Sequence, residues 1–139
     1  MGRLLGIDYG RARIGLACSD EMKMIATPYK TVKAQKTLEL SVDHLLTEIA
    51  EKGAIEAYIL GLPLHMSGDE SEMSKEVREF GKILEEKTGK LVIYWDERLT
   101  SMMVDNAMKE GNLSRKDRAE AKDYLSASVL LQSYMQSQS

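Results

Sequence analysis

Five short apolar runs, separated by segments with helical periodicity, are the feature that most limits the folds open to this chain. The first run, 3–8, ends at Asp8, and the second, 13–20, follows after a glycine-containing turn. Two apolar runs joined by a short turn are typical of an antiparallel hairpin. The third run, 25–32, contains Pro28 and therefore predicts an edge strand, because proline cannot donate to a neighbouring strand.

In the middle of the chain, apolar residues recur every three or four positions, which is the period of an amphipathic helix. One such segment starts at 38 and ends near Gly53, and a short strand is predicted at 57–63. A second helix follows and ends at Gly89. Asp69 and Glu72, three residues apart, predict a capping box at the start of that helix.

The rest of the chain predicts a fifth strand, a short helix and a last helix. They are a strand at 90–95, a short helix through Met103 and Ala107 to Gly111, and a last helix from the capping pair Ser114 and Asp117 through Tyr124, Ala127 and Leu131. The polar end from Gln132 is expected to fray.

An early hairpin followed by strand–helix–strand units predicts an α/β domain. We expect a mixed five-stranded sheet, with an antiparallel first hairpin, parallel later strands and helices on both faces. A single domain is expected over 1–135, followed by a polar tail at 136–139.

The composition excludes several classes of protein. The 139 residues are 43% hydrophobic and 29% charged, and no apolar run approaches the ~18 residues of a membrane span. No signal peptide is recognisable, and the single cysteine, Cys18, cannot form an internal disulfide, so a cytoplasmic location is predicted. Cys18 itself is expected in the core. With one cysteine and two histidines, any metal would have to be bound by oxygen. The net charge of −3 disfavours a protein that coats nucleic acid, although a local basic patch is compatible with it.

Carboxylates lie where two of the predicted strands end. Asp8 ends the first strand, and Asp96 and Glu97 end the fifth. Ligands of α/β sheets bind beyond these carboxyl ends. Asp123 lies in the last helix among alanines that would let the helix approach the sheet. Taken alone, Asp8 is explained as a turn residue and the others as surface charge.

Together, acids from two strand ends and one helix would form an oxygen-only cluster. Crowded carboxylates repel one another unless a cation neutralises them, and Mg²⁺ or Mn²⁺ prefers such ligands. Two such ions about 4 Å apart can stabilise the attacking and leaving oxygens of a phosphodiester. Arg11, Arg13 and Arg98 are candidates to bind the flanking phosphates. The cations of 114–122 either extend this patch or form a solvated helix face.

The motifs that contain these residues resemble a known family over nearly the whole chain. They are "LLGIDYGRARIGLACSD", "ILGLPLHMSG", "DERLTS" and "AKDYLSASVLLQSYM". They are similar to the YqgF-type pre-16S rRNA nucleases, also called Holliday-junction-resolvase-like proteins. The resemblance implies a ribonuclease-H-like fold and a metal-dependent nuclease that processes the 5′ end of pre-16S rRNA. Its expected partners are structured RNA and ribosomal particles.

The resemblance also implies a set of site residues. Asp8, Glu97 and Asp123 would be both catalytic residues and ligands of Mg²⁺ or Mn²⁺. Four further residues would bind substrate: Arg13, Arg98, Thr100 and Lys122. Arg11 departs from the family pattern, which usually has Thr or Ser there, and the loop at 61–68 departs from it as well.

Three alternatives remain at this point. The same acids would serve a resolvase of branched DNA, which should be a symmetric dimer, whereas the nuclease is expected to be a monomer or a weak homodimer. An Asp-x-Gly at the end of a first strand also occurs in ATP-binding domains of the actin and sugar-kinase type, but these need a second lobe. A non-catalytic RNA-binding ribosome-assembly factor would retain the acids without activity.

Overall fold

The computed structural model describes residues 2–98 and 115–138, with the backbone alone at 115–124. Its elements are β1 (Arg3–Asp8), β2 (Arg13–Ser19), β3 (Ala26–Lys33), α1 (Leu38–Ile49), a 3₁₀ turn (Ala50–Lys52), β4 (Ile55–Leu62), α2 (Glu72–Thr88), β5 (Leu91–Asp96) and α3 (Arg115–Ser137). The predicted strands and the first two helices are confirmed to within two residues at most boundaries. The short helix predicted through Met103 and Ala107, and Ser114, lie outside the described residues.

The strands form one five-stranded sheet in the order β3-β2-β1-β4-β5. β1 pairs antiparallel with β2, and β2 pairs antiparallel with β3. β1 and β4 are parallel, as are β4 and β5. The structure confirms the mixed sheet, the antiparallel hairpin and the edge position of the strand that contains Pro28. The carboxyl ends of β1, β4 and β5 therefore meet at one edge of the sheet.

Helices cover both faces of this sheet, as predicted. One face packs on α1 and α2 around fully buried side chains that include Leu5, Ile7, Leu45, Leu60 and Phe80. The other face packs on α3 around a smaller cluster that includes Leu4, Ala17, Ile59, Ala127 and Leu131. Because side chains alternate along a strand, odd and even positions of β1 belong to different faces.

The helix α3 packs directly against β1 at a glycine. A Cβ atom at Gly6 would lie 2.9 Å from the carbonyl oxygen of Ala127 and 2.9 Å from Cβ of Leu131. Both distances are shorter than real Cβ contacts, so only glycine lets the helix pack here. The alanine at 127 contributes to the same close approach, which agrees with the role predicted for small residues in this helix.

Two sequence predictions about helix ends are wrong. The capping box at α2 is formed by Ser71 and Ser74, with Ser74 N–H donating to Ser71 Oγ at 2.9 Å, and not by Asp69 and Glu72. The chain does not fray from Gln132, because α3 continues to Ser137. Gln132 itself accepts a hydrogen bond from the Ala26 N–H at 2.9 Å, and this bond ties the helix to β3. Within the described parts of the chain, no helix has the length and hydrophobicity to cross a membrane.

Candidate active site

Asp8 is the last residue of β1 and lies on the face that α3 covers. Leu4 belongs to the α3 cluster and Gly6 contacts α3, so alternation brings Asp8 to the same face. Its antiparallel partner on β2 is Gly15. On the other side Ile7 pairs with Leu60, so Gly61 is the next residue beside Asp8. The partly buried carboxylate of Asp8 is therefore flanked by glycines on both neighbouring strands.

Glu97 directly follows β5 and its carboxylate lies over Gly61. The backbone N–H of Glu97 donates to the carbonyl of Leu62 at 3.3 Å, which extends the pairing of β4 and β5 past Asp96. A Cβ atom at Gly61 would collide with Oε2 of Glu97 and would lie 3.2 Å from Cδ2 of Leu130 on α3. Glu97 is thus on the α3 face, and Gly61 provides the space for its carboxylate.

The backbone of Asp123 belongs to α3, about one helical turn before Ala127. Two contacts give the direction of α3 relative to β1. Near the end of α3, Met135 lines the same cavity as Leu4, whereas earlier in the helix Ala127 lies against Gly6. Since Leu4 precedes Gly6 on β1, α3 runs antiparallel to β1, and position 123 falls towards the end of β1 that carries Asp8. The side chain of Asp123 is outside the described residues. Among the side chains that are described, no group of three metal-binding residues occurs.

The residues after Asp8 are anchored to α2. The hydroxyl of Tyr9 donates to Glu76 at 2.6 Å, and the Tyr9 ring packs against Phe80 with centroids 5.0 Å apart. Burial, together with the hydrogen bond to Glu76, raises the pKa of Tyr9 well above its ordinary value. Arg11 Nε donates to the same carboxylate at 3.1 Å. Arg11, a candidate phosphate contact in the sequence, therefore forms an ion pair that links the β1–β2 turn to α2.

That turn also depends on Gly10. A Cβ atom there would lie 2.5 Å from the carbonyl oxygen of Arg13, so a larger residue does not fit the turn. Arg13 begins β2 and is exposed, two residues before Gly15, the partner of Asp8. It lies at the same edge of the sheet as Asp8, where a phosphate contact was predicted.

Arg98 is bound by the protein itself. Its Nη2 lies 2.6 Å from Oδ2 of Asp96, and its Nε donates to the same oxygen at 2.8 Å. These bonds lower the pKa of the Asp96 carboxyl. On its other side, the Arg98 guanidinium donates from Nη1 to the carbonyl of Met66 at 3.0 Å. Of the other predicted substrate-binding residues, Thr100 and the side chain of Lys122 lie outside the described residues.

Sequence reasoning placed the candidate acids Asp8 and Glu97 at strand ends but missed the groups that position them. The sequence placed Gly61 inside a strand and gave it no further role. Once the strand order is known, a glycine on the strand between Asp8 and Glu97 indicates space for a carboxylate. Glu76 was not singled out, because its spacing on α2 resembles that of any solvated glutamate. Its contacts with Tyr9 and Arg11 span 67 and 65 positions of sequence, and no local pattern reports them.

Comparison with known proteins agrees with this architecture. A model of the family described as "RuvX: Holliday junction resolvase" matches residues 2–137. A protein of Protochlamydia amoebophila named "Putative pre-16S rRNA nuclease" is 44% identical over 97% of this chain and 93% of its own length. A protein of Rhodobacter capsulatus with the same name is 39% identical over 95% of this chain and 82% of its own length.

Solved structures share the fold at low sequence identity. The fowlpox virus Holliday junction resolvase superposes with a TM-score of 0.58 and 17% identity, covering 99% of both chains. The Thermus thermophilus RuvC bound to a Holliday junction superposes with a TM-score of 0.52 and 15% identity, covering 97% of this chain and 96% of that one. These likenesses confirm the ribonuclease-H-like fold. The chain therefore belongs to the RuvX Holliday junction resolvase family, a family of nucleases that hydrolyse phosphodiester bonds.

Proposed function

We propose that this protein is a cytoplasmic, metal-dependent endonuclease that processes the 5′ end of pre-16S rRNA. The observation that supports it most is the position of Asp8 and Glu97, two carboxylates on one face of the sheet, on either side of Gly61. The names of its relatives support the substrate. Ribosomal particles are the partners that would present this RNA to a chain with a net charge of −3.

The residues present fit a divalent cation. The two described carboxylates offer only oxygen, and Gly61 gives the carboxylate of Glu97 the space to lie on the same face of the sheet as Asp8. The cation of Arg98 is bonded to Asp96, which follows Trp95 and so alternates to the other face of the sheet. Asp8, Glu97 and Asp123 would hold Mg²⁺ or Mn²⁺. When bound, such an ion lowers the pKa of an attacking water and compensates the negative charge on the leaving oxygen.

The protein's own residues would position the substrate. Asp8 and Glu97 would lie beside the scissile phosphate with their backbones held by pairing, Asp8 with Gly15 and the Glu97 N–H with the Leu62 carbonyl. Arg13, exposed at this edge, would bind a neighbouring phosphate. Tyr9 and Glu76 hold the backbone that carries Asp8, which limits its movement when a charged substrate binds. Lys122, next to Asp123, would add positive charge near the same phosphates.

Substitution of one acid tests the proposal. Asp8→Asn should abolish Mn²⁺-dependent cleavage of an RNA fragment that spans the 5′ end of pre-16S rRNA, because the amide removes the negative charge without changing the size of the side chain. Asp43→Asn is the matched control, since Asp43 pairs with Lys87 on α1 and α2, away from the strand ends. If the Asp8→Asn variant unfolds at the wild-type temperature and also cleaves at the wild-type rate, the proposal is wrong.

The description of the family favours a second candidate, cleavage of four-way DNA junctions. A resolvase presents two symmetric sites, so it should be a dimer in solution, whereas the proposed RNA nuclease is a monomer or a weak homodimer. Sedimentation combined with parallel cleavage of junction DNA and of the RNA fragment distinguishes the two. A stable dimer that cuts only the junction would replace the RNA proposal.

A further inference from the structure

The loop that joins β4 to α2, residues 63–71, follows Leu62, whose carbonyl accepts from the Glu97 N–H. Its end is held by α2, where Arg78 Nε donates to Glu70 at 2.8 Å, whereas its tip, residues 65–69, is bonded mainly to itself. The His65 N–H donates to the Asp69 carbonyl at 2.9 Å, and the Gly68 N–H donates to the His65 carbonyl at 2.8 Å. Gly68 has a φ of +95°, a conformation that favours glycine in a tight turn. Internal bonds of this kind fix the shape of the turn but do not fix its position relative to the sheet.

Arg98 connects the tip of this 63–71 loop to the end of β5. Its Nη1 donates to the Met66 carbonyl at 3.0 Å, and a Cβ atom at Gly68 would lie 3.5 Å from the same nitrogen. The opposite edge of the guanidinium is held by Asp96, with Nε at 2.8 Å and Nη2 at 2.6 Å from Oδ2. A planar guanidinium can bridge two acceptors in this way because its donors point in fixed directions.

These bonds also direct the guanidinium away from the acid pair. Glu97 lies over Gly61 on the α3 face, whereas Asp96 pairs with Leu62, which belongs to the core on the other face. A phosphate would have to replace a bidentate carboxylate to bind Arg98 in the manner that the sequence suggested. The described contacts therefore match a structural link between the loop and β5.

We propose that Arg98 is a positioning residue, which with Asp96 fixes the tip of the 63–71 loop at the carboxyl edge of the sheet, so that the loop forms the wall of the substrate site opposite α3. The proposal rests on the nuclease function proposed above. Met66, 70% exposed at the tip, is then placed to contact the nucleic acid next to the cleaved bond. The consequence is that Asp96 and Arg98 act as one unit, although only the arginine has the charge to attract RNA.

Three variants distinguish this role from a phosphate contact. Arg98→Ala, Asp96→Ala and the double variant should each lower kcat by a similar factor, about tenfold, because effects within one unit are not additive. The salt dependence of binding to the RNA fragment should remain that of the wild type. If Arg98 instead bound a phosphate, Arg98→Ala would reduce the salt slope by about one contact, whereas Asp96→Ala would leave it unchanged. That result would overturn the proposal.

Arg98→Lys and Lys87→Ala complete the design. A lysine keeps the charge but cannot bridge Asp96 and Met66, so Arg98→Lys should behave like Arg98→Ala; rescue of kcat by lysine would count against the link. Lys87→Ala removes a cation from another partly exposed ion pair, with Asp43, and should change neither kcat nor the loop.

Amide hydrogen exchange provides a readout that does not require cleavage. The amides of His65 and Gly68 should exchange at least tenfold faster in Arg98→Ala and Asp96→Ala than in the wild type, since the tip of the loop loses its bond to β5. Unchanged exchange at both amides would refute the link even if the enzyme were active. A wild type that cleaves no RNA would refute the nuclease function instead, while the exchange experiment would still decide the role of Arg98.

Discussion

Gly61→Ala tests whether the place of the Glu97 carboxylate matters for catalysis. The added Cβ atom would collide with Oε2 of Glu97 and would lie 3.1 Å from its Cδ, whereas ordinary contacts begin at 3.4 Å. The end of the Glu97 side chain must therefore move. A shift of about 1 Å in a reacting group costs roughly 100-fold in rate, or about 2.7 kcal/mol of transition-state stabilisation.

The cost in folding stability should be smaller than the cost in rate. The clash involves the end of a side chain that can rotate, and Leu130 on the other side is 3.2 Å from the new atom. We expect a loss of about 1 kcal/mol in the free energy of unfolding, at the low end of overpacking effects. The rate is measured in single-turnover cleavage of the RNA fragment at saturating Mn²⁺, and stability is measured by urea denaturation.

Gly81→Ala is the matched control. A Cβ atom at Gly81 would collide with the Tyr94 hydroxyl and would lie 3.0 Å from Cδ2 of Leu60, so this glycine is as tightly packed as Gly61. It lies on α2, on the face of the sheet away from Glu97. Gly81→Ala should lose stability and keep its cleavage rate. Equal cleavage by the Gly61 and Gly81 variants would refute the reasoning, because overpacking alone would then explain both.

Three other perturbations have expected outcomes. Gly6→Ala should lower the free energy of unfolding by about 2 kcal/mol and reduce cleavage. The new Cβ atom would lie 2.9 Å from the Ala127 carbonyl oxygen and would displace α3, which carries Asp123. A wild-type midpoint in urea would contradict this. Ser71→Ala should lower unfolding free energy by about 1 kcal/mol in the same assay, through loss of the α2 cap, and an unchanged midpoint would show that the cap is dispensable. Burial raises the pKa of the Cys18 thiol, so at pH 8 the native protein should react with a thiol reagent far more slowly than the urea-unfolded protein; equal rates would contradict its burial.

The parts of the fold that periodicity determines were predictable from the sequence. The strand that ends at Asp8 and the helix that ends before Gly89 were predicted because their apolar residues follow the periods of a strand and a helix. The start of α2 was misplaced, because Asp69 and Glu72 have capping-box spacing while the serines that form the box also have it. The choice between the two pairs depends on where the chain leaves β4 and enters α2. Local sequence does not determine that point.

Sequence reasoning named the candidate acids but not the residues that position them. Strand ends and a resemblance to a family identified Asp8 and Glu97, but the role of Gly61 requires the order of the strands. Arg98 was expected to bind phosphate, which stays a prediction, and its bonds to Asp96 and Met66 were not foreseen. Sequence gives the charge of an arginine, whereas its partner is decided by the alternation of side chains between the two faces of the sheet.

The central claim is that Asp8, Glu97 and Asp123 together bind a divalent cation. The most direct test is the anomalous difference map of a crystal of the wild-type protein soaked in Mn²⁺. The account predicts a peak within about 2.3 Å of carboxylate oxygens from all three residues, at the edge of the sheet beside Gly61. A peak bound elsewhere, or a map in which Asp123 points away from Asp8 and Glu97 while Mn²⁺ is present at saturation, would contradict it.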